Sequence, residues 1–253
     1  MKKIALLIVF LSIAFIATAQ EKADKNTASF ELGSGLNFSF NEGDYQFNLG
    51  GFIQPAYNYS RAAETDSENE FNSKSAFLII SGKAVNEKVS FLIQTDYSRS
   101  EPLLDAWVAY HPFKNTVITV GQKQSFVNNR AMTYREDRLQ LTDRSILSQN
   151  FSNTGREFGL FLETKFGDRI GIVPMLAVTS GDGRNSFGSD SRDGDIGGLK
   201  IGARLDLYPT GYFSKGNDLF SADLAHEETP KFVIGAAFST NEGASSSTGE
   251  GHG

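Results

Sequence analysis

The chain has 253 residues, no cysteine, 25 glycines, 21 phenylalanines and a formal net charge of −6. This length allows one large all-β domain or two smaller domains. The lack of cysteine excludes disulfide scaffolds and thiolate metal sites. The acidic balance argues against a general nucleic-acid binder, so we predict no nucleic-acid partner.

The N-terminus has the layout of a cleaved secretory signal peptide. A basic start at Met1–Lys3 is followed by the apolar stretch Ile4–Ile16 and by the small-residue cleavage site Ala17–Ala19. A membrane anchor is the alternative, but this apolar stretch is shorter than the roughly 20 residues that a spanning helix needs. We therefore predict an exported protein, with a signal peptide over residues 1–19 and a polar segment over residues 20–35.

Apolar and polar residues alternate along most of residues 36–240. In one segment, Tyr45, Phe47 and Leu49 alternate with Gln46 and Asn48. A period of two is typical of strands with one apolar and one polar face. Most of the candidate strands have the roughly 9–11 residues that a tilted strand needs to cross a bilayer. The nine candidates are Tyr45–Tyr59, Ser73–Ala84, Val89–Tyr97, Leu103–His111, Thr116–Gln124, Arg156–Phe166, Arg169–Thr179, Leu199–Tyr208 and Lys231–Thr240.

The connections between these strands alternate between short and long. The short ones are Val85–Glu87, Phe113–Asn115 and Gly167–Asp168, and the long ones are Arg61–Asn72, Ser125–Gly155 and Ser180–Asp195. Transmembrane barrels have short turns at one rim and longer loops at the other, so the alternation favours a barrel. The segment Pro209–Pro230 is an exception, because it is long on the short side and could hold a helical patch or a plug.

A soluble β-sandwich is the main alternative, because its strands also alternate between apolar and polar residues. Two features count against it: the candidate strands exceed the usual five or six residues, and aromatic residues cluster near strand ends, as at a bilayer interface. We therefore predict an all-β fold, a transmembrane antiparallel β-barrel over residues 36–240. Residues 241–253 are predicted to be a flexible external loop or a truncated tail.

Several short segments, taken together, resemble a known family. They are Gly50–Gln54, Ser81–Ala84 with Phe91–Tyr97, Leu104–Val108, Val120–Gln124, and Leu139–Ser145 followed by Gly155–Gly159. Their order over roughly residues 35–240 resembles the phosphate-selective porin O/P family. The resemblance implies a sixteen-stranded, usually trimeric channel in the bacterial outer membrane for passive uptake of phosphate, polyphosphate or related anions. With about nine predicted strands, the barrel expected here is incomplete.

The candidate solute-binding residues are basic side chains of the loop Ser125–Gly155 and of one strand. A narrowing lined by positive charge selects anions, and arginine binds phosphate bidentately. The loop resembles the inward constriction loop of the family, and the strand residues alternate with apolar neighbours, which would turn them to the lumen. The alternative is that the loop arginines pair with acidic residues of the same loop and brace it. The candidates are Arg130, Arg135, Arg138, Arg144, Lys200 and Arg204.

These observations predict an outer-membrane porin for passive diffusion of small anions. A general non-selective porin and a secreted ligand-binding β-sandwich remain open as alternatives. We predict no enzyme activity, because His111, His226 and His252 lie in no recognisable nucleophile motif. We also predict no cofactor and no metal, since the acidic run Asp190–Asp195 lacks the spacing of a calcium loop.

Overall fold

The computed structural model describes residues 26–61, 66–127, 130–140, 143–151, 155–184 and 198–241. Strands make up 57% of the described residues, so the fold is all-β, as predicted. The predicted signal peptide, the acidic run 190–195 and tail residues 242–253 lie outside the described ranges. In those ranges no helix combines the length and the apolar character needed to cross a membrane.

Eleven strands form one antiparallel sheet in which each strand pairs with its neighbours in the sequence. Within the described residues the first and last strands do not pair, so the sheet is not closed into a barrel. The strands are β1 (Thr27–Glu31), β2 (Gly35–Phe40), β3 (Tyr45–Ser60), β4 (Glu68–Ala84), β5 (Val89–Asp96), β6 (Leu103–Phe113), β7 (Thr116–Gln124), β8 (Arg156–Thr164), β9 (Gly171–Thr179), β10 (Lys200–Tyr208) and β11 (Ile234–Thr240).

Helical structure in the described residues is confined to short pieces. Two of them, α1 (Arg130–Thr133) and α2 (Ile146–Phe151), lie in the connection between β7 and β8. Short 3₁₀ segments span Asn41–Gly43, Glu136–Arg138 and Ser214–Leu219, and the last of them is interrupted by a kink at Lys215 and Gly216.

Each of the nine predicted strands overlaps one of β3 to β11, but the predicted number of strands was too low by two. The additional strands β1 and β2 form a hairpin in which Phe30 lies opposite Leu36. This hairpin reaches into the predicted polar segment, where β1 has only five residues and too few alternations to be recognised. Gly33 and Gly35 have φ angles of 93° and 87°, which glycine adopts readily and which allow the tight turn.

The two faces of the sheet have opposite chemical character. Along β10, Lys200, Arg204 and Asp206 are buried, while Ile201 and Leu205 between them are exposed. A water-soluble sheet normally has the reverse arrangement. We call the face that carries the buried polar side chains the inner face and the opposite one the outer face.

The outer face is apolar and exposed along most of the sheet. On β3, for example, Tyr45, Phe47 and Leu49 are exposed. They are spaced two positions apart and therefore lie on the same face. The same exposure recurs on the central and later strands, at Ile93, Val108, Tyr110, Val120, Leu160, Ile172, Leu176, Val178, Leu205 and Leu207.

Two long connections cover the inner face. The connection from β7 to β8 packs Phe126 against Phe161 of β8 and Met175 of β9, in a small apolar cluster. The segment after β10 continues this cluster through Tyr212 and Phe213. This segment, for which the sequence suggested a helical patch or a plug, therefore folds over the inner face as irregular chain with a kinked 3₁₀ segment.

The two connections also hold each other. The backbone N–H of Ser221 donates to the carbonyl of Arg138 at 3.0 Å, and the backbone N–H of Gln140 donates to the Ser221 hydroxyl. The connection between β7 and β8 is therefore fixed to a second segment as well as to the sheet.

Candidate functional site

The centre of the inner face is a network of buried charged groups around Arg156, the first residue of β8. Its guanidinium lies 3.0 Å from Asp105 of β6 and 3.0 Å from Glu136. Glu136 belongs to the connection between β7 and β8, which we call the covering loop. Glu136 also accepts a hydrogen bond from Gln94 of β5 at 3.0 Å and lies 3.3 Å from Arg144. Glu136 thus joins the loop to two strands of the sheet.

The sequence did not indicate Arg156 as a functional candidate. Arg156 and Glu157 are adjacent in the chain, so strict alternation places them on opposite faces of the sheet, with Glu157 on the inner one. In the structure both side chains are buried. The chain bends at Gly155, which has a φ of 65°, and the Gly155 carbonyl accepts from the backbone N–H of Ser125. This bend ends the regular alternation at Arg156, so periodicity could not place the residue.

A second group of ion pairs lies on β8 and β10. Lys200 contacts Glu157 at 3.0 Å, and both side chains are almost completely buried. Arg204 contacts Asp206 at 2.7 Å, and Asp206 also lies 3.4 Å from Arg130 of α1. The contact between Asp206 and Arg130 connects the sheet to the covering loop a second time.

Five of the six predicted solute-binding residues pair with carboxylates. Besides the pairs above, Arg135 contacts Asp137 at 2.6 Å, and Arg144 adds hydrogen bonds to the carbonyls of Ala131 and Tyr134. Arg135 and Arg144 thus form pairs within the loop, as in the bracing alternative, whereas Arg130 pairs with carboxylates outside it. Arg138 differs, because its guanidinium lies 4.8 Å from the ring centroid of Phe220 and forms no salt bridge within the described residues.

Two cavities lie on the inner face on either side of the covering loop. The β3–β4 cavity has a volume of about 790 Å³ and polar wall residues that include Asn48, Gln54 and Ser81. The β6–β10 cavity has a volume of about 460 Å³. Arg135 and Arg138 line both cavities and therefore mark the boundary between them.

The β6–β10 cavity is lined by more basic than acidic side chains. The six basic residues and four acidic residues give its wall a formal charge of +2. A wall of this kind attracts anions, although most of its individual charges are compensated. The residues are Lys123, Arg130, Arg135, Arg138, Lys165 and Arg204, with Asp105, Glu163, Asp206 and Asp218.

The protein is thus defined by its sheet and site: an eleven-stranded antiparallel sheet with an apolar exposed face and a charged face covered by its own loops. No protein-family model matches the chain, and no curated protein sequence matches it significantly. In the part of the chain that the structure describes, no group of three or more His, Asp or Glu side chains is placed to hold a metal ion.

The contact between Glu136 and the sheet is expected to persist at acidic pH. Burial by itself raises the pKa of the Glu136 carboxyl, but the guanidinium groups of Arg156 and Arg144 outweigh burial and hold this pKa well below its usual range. A carboxyl whose pKa is lowered by folding stabilises fully above its unfolded pKa of about 4.3, and loses this effect only as the pH falls towards the folded value. The loop should therefore stay attached at pH 4.

Pepsin digestion of the purified protein at pH 4 measures this attachment. We expect the wild-type loop to resist cleavage within residues 130–151, and the Glu136→Gln variant to be cut there. Glu87→Gln, at an exposed ion pair with Lys83, is the matched control and should resist like the wild type. Equal cleavage of wild type and Glu136→Gln at pH 4 would show that Glu136 does not hold the loop.

Proposed function

We propose that the chain forms the wall of an outer-membrane β-barrel through which small anions diffuse passively. The observation that carries this proposal is the inversion of the sheet, whose apolar face is exposed and whose charged face is buried. Hydrocarbon replaces water as the solvent of the outer face in a membrane, and strands that cross it alternate apolar-out and polar-in. Export by the predicted signal peptide is part of the same proposal.

The secreted β-sandwich is less well supported. A sandwich buries its apolar face against a second sheet, whereas all strands of the described residues belong to one sheet. The inner face is covered by loops that carry ion pairs rather than by an apolar layer. Large contiguous apolar surfaces are rarely left in water, which favours lipid as the partner of the outer face.

A closed wall requires partners for β1 and β11. Unpaired backbone N–H and C=O groups are costly in lipid, where no water can satisfy them. In the proposed barrel both edges are therefore paired, as they are in the sixteen-stranded, trimeric porins that the chain resembles.

Anion preference is supported by the charge of the β6–β10 cavity and by Arg138, whose guanidinium lies over a ring and forms no salt bridge within the described residues. Inorganic phosphate, the solute implied by the family resemblance, belongs to the class of anions that such a wall attracts. A unit charge about 8 Å from a permeating ion in a water-like dielectric contributes about 0.5 kcal/mol, which is roughly a twofold effect on local anion concentration.

The proposal is tested by the reversal potential of channels in planar bilayers across a KCl gradient, with protein purified from the outer-membrane fraction. We expect chloride to permeate better than potassium, and Arg138→Gln to lower this preference roughly twofold, for the electrostatic reason just given. Lys114→Gln, in the exposed turn between β6 and β7, is the matched control and should leave the preference unchanged. A preference for potassium in the wild type would refute the anion assignment.

A general non-selective porin is the second candidate, and the extensive ion pairing of the inner face favours it. Opposing charges fixed across a passage orient water and polar solutes without strongly favouring one sign. The same measurement separates the two candidates, because a general porin gives a chloride-to-potassium permeability ratio close to one and is insensitive to Arg138→Gln.

A further inference from the structure

Three basic residues of the β6–β10 cavity are held by aromatic rings instead of carboxylates. The ammonium of Lys123 lies 5.4 Å from the ring centroid of Phe161, and that of Lys165 lies 5.9 Å from Tyr212. Arg138 lies over Phe220, as described above. None of the three forms a salt bridge within the described ranges.

A cation held by a ring keeps its N–H donors for a ligand. The ring attracts the charge through its quadrupole but accepts no strong hydrogen bond. A carboxylate, in contrast, compensates the charge of the arginine that it binds and occupies part of its donors, as Asp105 does for Arg156 and Asp206 does for Arg204. Among the described residues, the ring-held groups are therefore the basic groups of this cavity that no carboxylate compensates within salt-bridge distance.

The same cavity has a large apolar surface. Trp107, on the inner face of β6, lines it together with Phe126 and Met175 of the apolar cluster. A hydrated inorganic anion gains nothing from such a surface, whereas a flat apolar group gains by leaving water and by stacking on aromatic rings. Ligand sites of this size are typically apolar, with a few polar groups that fix orientation.

We propose that the β6–β10 cavity binds small organic anions that combine a carboxylate with a flat apolar group, such as aromatic carboxylates, in preference to inorganic anions. The ring-held cations bind the carboxylate, and Trp107 with its apolar neighbours contacts the flat group. This inference rests on the proposed function, since it names the class of anion that the passage favours.

The chain contains a single tryptophan, and it lies in the wall of this cavity. Its fluorescence therefore reports occupancy directly, in the full chain in detergent, without a need for conduction. Four probes separate the contributions: benzoate has the charge and the ring, acetate the charge alone, benzyl alcohol the ring alone, and inorganic phosphate represents the inorganic anions.

We expect benzoate to change the Trp107 fluorescence saturably, at about tenfold lower concentration than acetate, benzyl alcohol or phosphate, as each lacks one of the two contributions. Arg138→Gln and Lys165→Gln should each weaken benzoate binding about tenfold, because each removes a hydrogen bond to a charged group. Lys114→Gln should bind benzoate like the wild type. Calorimetry with the same probes checks the fluorescence result.

Phosphate binding as tightly as benzoate, or benzyl alcohol binding as tightly as benzoate, would overturn the inference. The wild-type probe series gives this answer even if a variant fails to fold. Failure here is distinct from failure of the proposed function: an anion-selective channel without benzoate preference refutes only the inference. Benzoate binding without any channel activity would refute only the transport proposal.

Discussion

Arg156→Met is expected to lower the free energy of unfolding by about 3–5 kcal/mol, because it leaves the buried carboxylate of Asp105 without its ion-pair partner. The Arg156 side chain is 5% exposed and that of its partner Asp105 is 4% exposed, so water cannot replace the lost contact. Glu136 keeps Arg144 and Gln94 but loses its link to β8. Urea unfolding in detergent micelles, followed by tryptophan fluorescence, measures the loss.

The matched control is Lys83→Met, which breaks the exposed pair between Lys83 and Glu87. Exposed pairs contribute about 0–1 kcal/mol, so this variant should unfold near the wild-type urea concentration. The double variant Arg156→Met, Asp105→Leu should recover part of the loss, since it removes one stranded carboxylate. If Arg156→Met and Lys83→Met behave alike, the buried network does not stabilise the sheet.

In the proposed barrel, Leu205→Arg is expected to destabilise the protein in lipid by about 2–4 kcal/mol, the cost of a cation on the lipid-facing side near the bilayer midplane. Leu205 lies next to the middle of β10 and is exposed on the outer face. Leu207, on the same face near the end of the strand, should tolerate arginine at a cost of about 0–1 kcal/mol, because the effect falls towards the interface.

The depth dependence distinguishes a membrane wall from a water-soluble sheet. Substitutions at exposed positions in water usually change stability by less than about 0.5 kcal/mol. If the outer face is in contact with water, the variants Leu205→Arg and Leu207→Arg should therefore be equally stable. Urea titrations of both variants folded into lipid vesicles make the comparison, and equal stabilities would argue against lipid contact.

The positions of β3 to β11 could be predicted from sequence because alternation is a local signal. Each residue of a strand faces away from its neighbours, so a face can be read from the order of residues alone. The first and last residues of the strands were predicted less accurately. β4 begins at Glu68, five residues earlier than predicted, because it continues pairing with the end of β3. That pairing depends on a partner strand and leaves no pattern of its own.

The candidate site was predicted in part. The arginines of the covering loop do lie on the inner face, but their partners come from distant strands: Arg130 meets Asp206, 76 residues later, and Glu136 meets Gln94, 42 residues earlier. Sequence spacing gives no information about such contacts. The ring contacts of Lys123 and Lys165 could not be predicted for the same reason, since Phe161 and Tyr212 lie 38 and 47 residues further along the chain.

The sequence by itself determined the class of fold and the division into an apolar and a polar face, because strand periodicity depends only on neighbouring residues. The tertiary structure decided which charges are compensated and which are held by rings, how the segment after β10 folds over the inner face, and where the cavities lie. These depend on side chains brought within a few ångströms of each other by strands far apart in the chain, so only the folded sheet defines them.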